Sequence, residues 1–272
     1  MLGNKKIGFI GAGMMAEAIA RGLLSAGVSA EAIIASDPDE KRREVFSAQL
    51  GVKATDDNKS VARWADILIL AVKPFVMSEV LGEIGSEIKT DQLVISIAAG
   101  ITTESIQNKL GEDVPVIRVM PNTPALIGKG ASALAPGKSA TPSHMEIALQ
   151  IFGAVGKAVQ VTEDKMDAVT GLSGSGPAYV YMFIEALADG GVRMGLPRQT
   201  AVMLAAQTVA GAAEMVLQTG THTAELRDRV TTPGGTTIAG IAALEKAGFR
   251  SAAIEAVTAA TLRSTELGKP NK

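Results

Sequence analysis

Residues 7–16 carry the sequence Ile7-Gly8-Phe9-Ile10-Gly11-Ala12-Gly13-Met14-Met15-Ala16, in which an apolar run leads into the spacing G-x-G-x-x-A. The motif stands between a predicted strand and a predicted amphipathic helix, which is the context that a dinucleotide fingerprint requires. Gly11 permits a tight turn, Gly13 lets the backbone approach a pyrophosphate, and Ala16 keeps the helix close to the strand. Free amide groups at the start of the helix favour phosphate. The segment therefore predicts the first turn of a Rossmann-type dinucleotide-binding sheet.

Short β-rich runs alternate with helical patterns through the first 160 residues. The predicted strands cover 6–10, 32–35, 67–71, 93–97 and 116–120, and helices are predicted over 14–25, 39–50 and 76–88. Strands that alternate with helices indicate βαβ units and a parallel sheet with right-handed crossovers. The fold class expected here is α/β, a doubly wound Rossmann-type sheet.

The pattern changes after about Glu163. Helices are predicted over 178–194, 198–218, 224–230, 237–247 and 252–268. We therefore divide the chain into a dinucleotide-binding domain over residues 1–162 and an all-α domain over residues 163–272. Small apolar residues are so frequent on these helices that a second subunit is expected to cover part of their surface. A self-contained helical bundle is the alternative.

Composition excludes several kinds of protein. The 272 residues carry a formal charge of -2, which gives no reason to expect nucleic acid or an anionic membrane as a partner. No run of 18 apolar residues and no signal peptide is evident, so a cytoplasmic location is expected. The chain has no cysteine, which removes thiolate chemistry and Cys-zinc sites. Its two histidines, His144 and His222, lie at polar helix starts and are expected to be solvated, and no metal site is predicted.

The ribose contact of a Rossmann coenzyme follows the second strand, which leads to Ser36 and Asp37. Asp37 favours NADH, whereas Ser36 with the basic residues at 41–43 favours the 2′-phosphate of NADPH, so the coenzyme is left open. Further turns at strand ends cover 71–74, 98–100 and 120–124. The coenzyme candidates are Ile10, Gly11, Ala12, Gly13, Met14, Met15, Ser36, Asp37, Ala71, Val72, Lys73, Pro74, Ala98, Ala99 and Gly100. Lys73 is also a candidate proton donor, with a structural role as its alternative.

Two segments rich in small residues precede predicted helices in the second half. They are 173–177, Ser-Gly-Ser-Gly-Pro, and 231–237, Thr-Thr-Pro-Gly-Gly-Thr-Thr. Open amide groups at such helix starts suit a small anionic substrate. Ordinary capping by Ser and Thr is the alternative.

Over nearly its full length the sequence resembles the pyrroline-5-carboxylate reductase family. The segments that carry the resemblance are 8–13, 71–74, 120–124, 167–179 and 225–237. The resemblance implies a Rossmann domain followed by a helical dimerisation domain, with larger rings of dimers. It places Glu163, Thr236 and Thr237 at the imino acid and adds Asn58 to the coenzyme site.

The implied reaction is reduction of 1-pyrroline-5-carboxylate to proline with NADPH, NADH being possible. Amide groups of Gly234, Gly235 and the two threonines would hold the carboxylate, and the Thr237 hydroxyl would assist proton delivery. A protonated imine accepts hydride more readily than a ketone, which suits a chain without cysteine. The alternatives are a six-membered cyclic imine as substrate, or a catalytically silent sensor. A β-hydroxyacid dehydrogenase would need a lysine where Val180 stands.

Overall fold

The structure, a computed structural model, describes Leu2 and residues 5–268. The chain forms two compact units. One comprises the described residues up to 175 together with 259–268, and the other comprises residues 176–258. The domain boundary expected near residue 163 stays a prediction.

A mostly parallel sheet of eight strands forms the centre of the first unit. The strands are Ile7–Ile10 (β1), Ile33–Ser36 (β2), Lys53–Thr55 (β3), Ile67–Leu70 (β4), Leu93–Ser96 (β5), Val116–Met120 (β6), Gly130–Pro136 (β7) and Gly156–Gln160 (β8). Their order is β3-β2-β1-β4-β5-β6-β7-β8. All neighbours pair in parallel except β6 and β7, which are antiparallel. The predicted Rossmann-type α/β class is confirmed, although β3, β7 and β8 were not predicted.

The strand register brings four turns to one edge of the sheet. Ile10, the last residue of β1, pairs with Ser36 of β2 and with Leu70 of β4. Leu70 in turn pairs with Ser96 of β5. Because these strands are parallel and end together, the turns that follow them lie side by side, which is where a doubly wound sheet binds its ligands.

Helices cover both faces of this sheet. They are Met14–Ser25 (α1), Glu40–Glu44 (α2), Asn58–Trp64 (α3), Met77–Ile84 (α4), Thr103–Leu110 (α5), Pro142–Gly153 (α6) and Met166–Val169 (α7). Successive strand residues feed two separate cores, since Ile67 and Ile69 belong to one apolar cluster and Leu68 and Leu70 to the other. That division follows from the twofold alternation of side chains along a strand.

The predicted helices 39–50 and 76–88 are shorter than expected. Helix α2 ends at Glu44 and passes into a π-helical turn, Val45–Gln49, and α4 ends at Ile84 before a 3-10 turn, Gly85–Glu87.

The remaining helices are Gly176–Arg193 (α8), Arg198–Thr219 (α9), Thr223–Arg229 (α10), Thr236–Lys246 (α11) and Phe249–Leu267 (α12). All regular structure in residues 176–258 is helical, as predicted. The buried apolar residues of this second unit are three alanines: Ala188, Ala201 and Ala205. Helix α9 is long and apolar enough to span a membrane by length and composition, a test that an apolar helix of a soluble protein also passes.

Candidate coenzyme cleft and substrate site

The turn after β1 has the geometry that a phosphate site requires. Gly11 has a φ of 93°, and a Cβ there would lie 2.7 Å from the Ala71 carbonyl oxygen. Gly13 precedes α1 without a side-chain cap, and a Cβ there would meet no atom within 4 Å. Since the first bond of the helix runs from the Glu17 amide to the Gly13 carbonyl oxygen, the amide groups of residues 14–16 in the first turn of α1 remain available to a ligand.

A cleft of about 550 Å³ opens in front of this turn. It is lined by Gly13, Met14, Met15, Arg42, Ala71, Val72, Lys73, Pro74, Ile97, Ala98, Ala99, Met120, Pro121, Thr123 and Leu126. Nine of these were coenzyme candidates from the sequence alone. The structure thus brings the turns after β1, β4, β5 and β6 into a single cleft, and Lys73 lies in it with an exposed side chain.

Seven coenzyme candidates do not line the cleft. They are Ile10, Gly11, Ala12, Ser36, Asp37, Asn58 and Gly100. Ser36 is fully buried, and its hydroxyl donates a hydrogen bond to Asn58 Oδ1 at 2.7 Å. Asn58 Nδ2 donates to Glu83 Oε2 at 2.7 Å. The expectation that the Ser36 hydroxyl accommodates a phosphate is therefore corrected: the hydroxyl holds the Asn58 amide instead.

Hydrogen bonds hold the backbone of Ala12 on both sides of its Cα. Its N–H donates to Asp37 Oδ2 at 2.7 Å, and its carbonyl oxygen accepts from Arg42 Nε at 2.6 Å. Arg42 Nη2 also donates to Glu17 Oε2 at 2.9 Å. Burial alone would raise the pKa of the Glu17 carboxyl, but hydrogen bonds from Arg42 and Arg21 outweigh it and lower that pKa. The glycine turn is therefore fixed by a chain of charged groups.

Glu163 is engaged within the first unit. Its carboxylate accepts hydrogen bonds from the Thr103 amide at 2.8 Å and from the Thr103 hydroxyl at 2.6 Å. The Arg118 guanidinium lies 3.5 Å from the same carboxylate. Both oxygens of the predicted substrate contact thus already have partners in the protein.

The two segments rich in small residues differ. Residues 173–177 do not form an open helix start, because Thr170–Gly174 is a π-helical turn that leads into α8, and the Ser175 amide bonds to the Thr170 carbonyl oxygen at 2.8 Å. That expectation was wrong. The second segment does form one: Gly235 precedes α11 without a side-chain cap, and Gly234 has a φ of 66°.

Thr236 and Thr237 begin α11, Thr236 exposed and Thr237 half-buried. Gly235 packs closely on the preceding turn, since a Cβ there would lie 2.3 Å from Thr232 Oγ1. Open amide groups at the start of a helix suit a small carboxylate.

Comparison with known proteins decides the family. Residues 163–267 match the family model described as pyrroline-5-carboxylate reductase dimerisation. Residues 6–100 match the model described as NADP oxidoreductase, coenzyme F420-dependent. A pyrroline-5-carboxylate reductase of Methanosarcina acetivorans is 54% identical over 98% of this chain and 99% of its own length. The chain belongs to the pyrroline-5-carboxylate reductase family.

Solved structures of that family have the same fold. The pyrroline-5-carboxylate reductase of Coxiella burnetii matches with a TM-score of 0.94 and 38% identity, covering 98% of this chain and 100% of that one. The Plasmodium falciparum pyrroline carboxylate reductase, solved with NADP bound, matches with a TM-score of 0.86 and 34% identity, covering 98% and 99%.

Two basic residues, Arg42 in the cleft and Arg118 outside its lining, make contacts that the sequence did not predict. From the sequence, Arg42 was expected only near a phosphate. No sequence pattern predicted its hydrogen bond to the Ala12 carbonyl oxygen. Arg118 lies in β6 with 7% of its surface exposed, and a single Arg in an apolar run was the available signal. Both histidines lie at helix starts as expected: His222 caps α10 and is exposed, whereas His144 is half-buried. The described residues contain no group of three His, Asp or Glu side chains that could hold a metal ion.

Proposed function

We propose that the protein reduces 1-pyrroline-5-carboxylate to L-proline with a reduced nicotinamide dinucleotide. One observation carries the proposal: the relatives that match this chain over nearly their whole length are pyrroline-5-carboxylate reductases. The cleft at the strand ends and the open start of α11 are the chemical features that such a reaction requires.

The residues of the first unit fit a nicotinamide dinucleotide. Open space in front of Gly13 and the uncapped start of α1 suit a pyrophosphate. The apolar walls given by Val72, Ala98 and Met120 suit a nicotinamide ring. When bound, the coenzyme supplies the hydride that reduces the imine carbon. The protein orients the two reactants and excludes water, which is where much of the rate enhancement arises.

NADPH is the expected coenzyme and NADH a second one, with Asp37 and Arg42 setting the ratio. The positive charge of Arg42 in the cleft supports NADPH. The Asp37 carboxylate, half-buried at the end of β2, favours a ribose hydroxyl over a 2′-phosphate because like charges repel. Asp37→Ser should therefore raise kcat/KM for NADPH relative to NADH by about tenfold, the equivalent of ~1.4 kcal/mol.

For the substrate, we assign the amide groups of Gly234, Gly235, Thr236 and Thr237 to the carboxylate. The Thr237 hydroxyl hydrogen-bonds the ring nitrogen and helps deliver its proton. Lys73 remains the alternative donor, supported by its exposed position in the coenzyme cleft.

Assembly into a homodimer, and of dimers into a larger ring, belongs to the same proposal. The dimerisation model matched by residues 163–267 and the exposed apolar side chains of the second unit support it. We propose a cytoplasmic location, with no nucleic acid or membrane as a partner.

One assay tests the reaction. Purified protein is mixed with 1-pyrroline-5-carboxylate and either NADPH or NADH, and the loss of reduced-nicotinamide absorbance is followed while proline is quantified. Equal amounts of coenzyme oxidised and proline formed are expected. Coenzyme binding without oxidation would overturn the substrate assignment, and oxidation only with the six-membered imine would replace it.

A further inference from the structure

Two carboxylates follow β8 in the chain, those of Glu163 and Asp167. Glu163 binds the start of α5 and Asp167 binds the last turn of α12, and both places adjoin one turn of the coenzyme cleft. That turn, residues 97–102, connects β5 to α5 and contributes Ala98 and Ala99 to the cleft wall. We propose that Glu163 and Asp167 are positioning residues that hold this turn in its coenzyme-binding arrangement. The inference rests on the proposed use of the cleft for a nicotinamide dinucleotide.

Glu163 fixes the start of α5. Thr103 is the first residue of that helix, is 3% exposed, and donates both its amide and its hydroxyl to the Glu163 carboxylate. A carboxylate at a helix start is also favoured by the helix dipole. Arg118, almost buried in β6, supplies a positive charge 3.5 Å from the same carboxylate. The end of the coenzyme turn is thus tied to a side chain that lies outside the cleft.

Asp167 fixes the last turn of α12. Its Oδ1 accepts a hydrogen bond from the Ser264 hydroxyl at 2.7 Å, and its Oδ2 accepts one from the Thr265 hydroxyl at 2.8 Å. Just beyond, Gly268 lies against Gly100: a Cβ on Gly100 would be 3.7 Å from the Gly268 Cα. Gly100 has a φ of 75°, so it is the point at which the coenzyme turn bends. The residue that follows α12 therefore lies beside the middle of the turn.

These contacts give Glu163 a role different from a direct substrate contact. Each oxygen of its carboxylate accepts a hydrogen bond from Thr103, one from the amide and one from the hydroxyl. If the turn is held through that pair, loss of the carboxylate and loss of the Thr103 hydroxyl must weaken the same property, coenzyme affinity. A direct substrate contact would instead make Glu163 alone important, and for the imine rather than the coenzyme.

A double-mutant cycle tests the proposal. The Kd of NADPH is measured by nicotinamide fluorescence, without imine, for the full-length protein and its variants E163Q, T103V and E163Q/T103V. We expect each single variant to weaken binding about 3–10-fold, and the double variant to be within about twofold of the weaker single one. D167N should weaken NADPH binding about 2–5-fold.

Thr141→Val is the matched control, because the Thr141 hydroxyl accepts a hydrogen bond from the His144 amide as the cap of α6, outside the cleft. It should lower Tm as T103V does without changing the Kd of NADPH. The proposal is overturned if E163Q and T103V also lower only Tm, if their effects on Kd add independently, or if E163Q raises the KM of the imine alone. Failure of the unsubstituted protein to bind NADPH would count against the proposed function instead.

Discussion

The two compact units differ in where they keep their apolar side chains. In the first unit, β1, β4 and β5 are buried throughout and feed two large cores, one on each face of the sheet. In the second unit the buried core is three alanines, while Met203, Leu204 and many similar side chains are exposed. A unit with so little buried apolar surface gains little stability from its own packing. The first unit can be explained by one copy of the chain, whereas the second requires another surface to cover it.

Helix α9 shows the difference most clearly. Residues 201–213 contain no charged side chain, yet only 11% of the helix's most apolar window is buried. A helix that is apolar on nearly all sides is normally buried in a protein or a membrane. In this family member a second copy of the chain is the cover that we propose. The candidate catalytic threonine therefore belongs to the part of the chain that depends on assembly, and the coenzyme cleft belongs to the part that does not.

The largest expected effect separates the two units by function. Thr237→Val removes the hydroxyl that we assign to proton delivery and leaves the coenzyme cleft untouched. We expect kcat/KM to fall on the order of 10²–10⁴-fold, as general acid catalysts typically contribute, with the Kd of NADPH unchanged. Steady-state kinetics and a coenzyme titration measure both. Thr258→Val is the control, since the Thr258 hydroxyl donates to the Ile254 carbonyl oxygen within its own helix. A rise in the KM of the imine alone would limit Thr237 to positioning.

The next effect concerns the surface of α9. Leu204 and Met215 are three helical turns apart on one face and are about half exposed. Replacing both with lysine should dissociate the dimer at micromolar concentration, because charged groups are strongly disfavoured in an interface core. Sedimentation velocity would detect the change. Val159→Lys, on β8 of the first unit, should leave the assembly intact. A double variant that remains dimeric would show that α9 lies outside the interface.

Within the first unit, alanine substitution of two glycines in one turn should have different effects: one should lower stability and the other NADPH binding. Gly11→Ala introduces a Cβ 2.7 Å from a carbonyl oxygen at a positive φ, so the free energy of unfolding should fall by about 1–3 kcal/mol or more. Gly13→Ala meets no protein atom and should leave Tm unchanged. It should nevertheless weaken NADPH binding about tenfold or more, since its Cβ enters the space that we assign to the pyrophosphate. Equal Tm losses in the two variants would contradict this division between structure and binding.

The sequence predicted the central strands because their apolar runs are buried on both faces. It missed β7, Gly-Ala-Ser-Ala-Leu-Ala-Pro, since Gly and Pro are rare inside strands and the run contains no β-branched residue. It also missed β3, which has three residues, and β8, which is largely exposed. Pairing with neighbouring strands forms these elements, and that pairing depends on residues distant in sequence.

The candidate site, like the sheet, was predictable only where local sequence determines the structure. Glycine spacing and strand ends located most of the cleft, because local backbone geometry determines those features. The burial of Ser36, the grip of Arg42 on Ala12 and the engagement of Glu163 by Thr103 were not predictable. The hydrogen bonds at these three places join residues more than twenty positions apart in the chain. Such a bond leaves no periodic pattern in a single sequence.

The smallest expected effect lies at the start of α6. His144 Nδ1 accepts a hydrogen bond from the Thr141 amide, and the Thr141 hydroxyl accepts one from the His144 amide. Burial, followed by the charge of Lys5, lowers the pKa of His144 below its usual value of 6.5. The folded state therefore favours the neutral ring. This contribution to stability is fully present above pH 6.5 and is lost as the pH falls through the lower pKa of the folded state.

His144→Gln keeps an acceptor for the Thr141 amide but does not titrate. Thermal unfolding from pH 7.5 to 5 should show the Tm of the unsubstituted protein falling by about 1–4 °C more than that of His144→Gln. If the two Tm profiles are parallel, protonation of His144 does not weaken the cap of α6. The stability of the first unit would then not depend on this half-buried imidazole between pH 7.5 and 5.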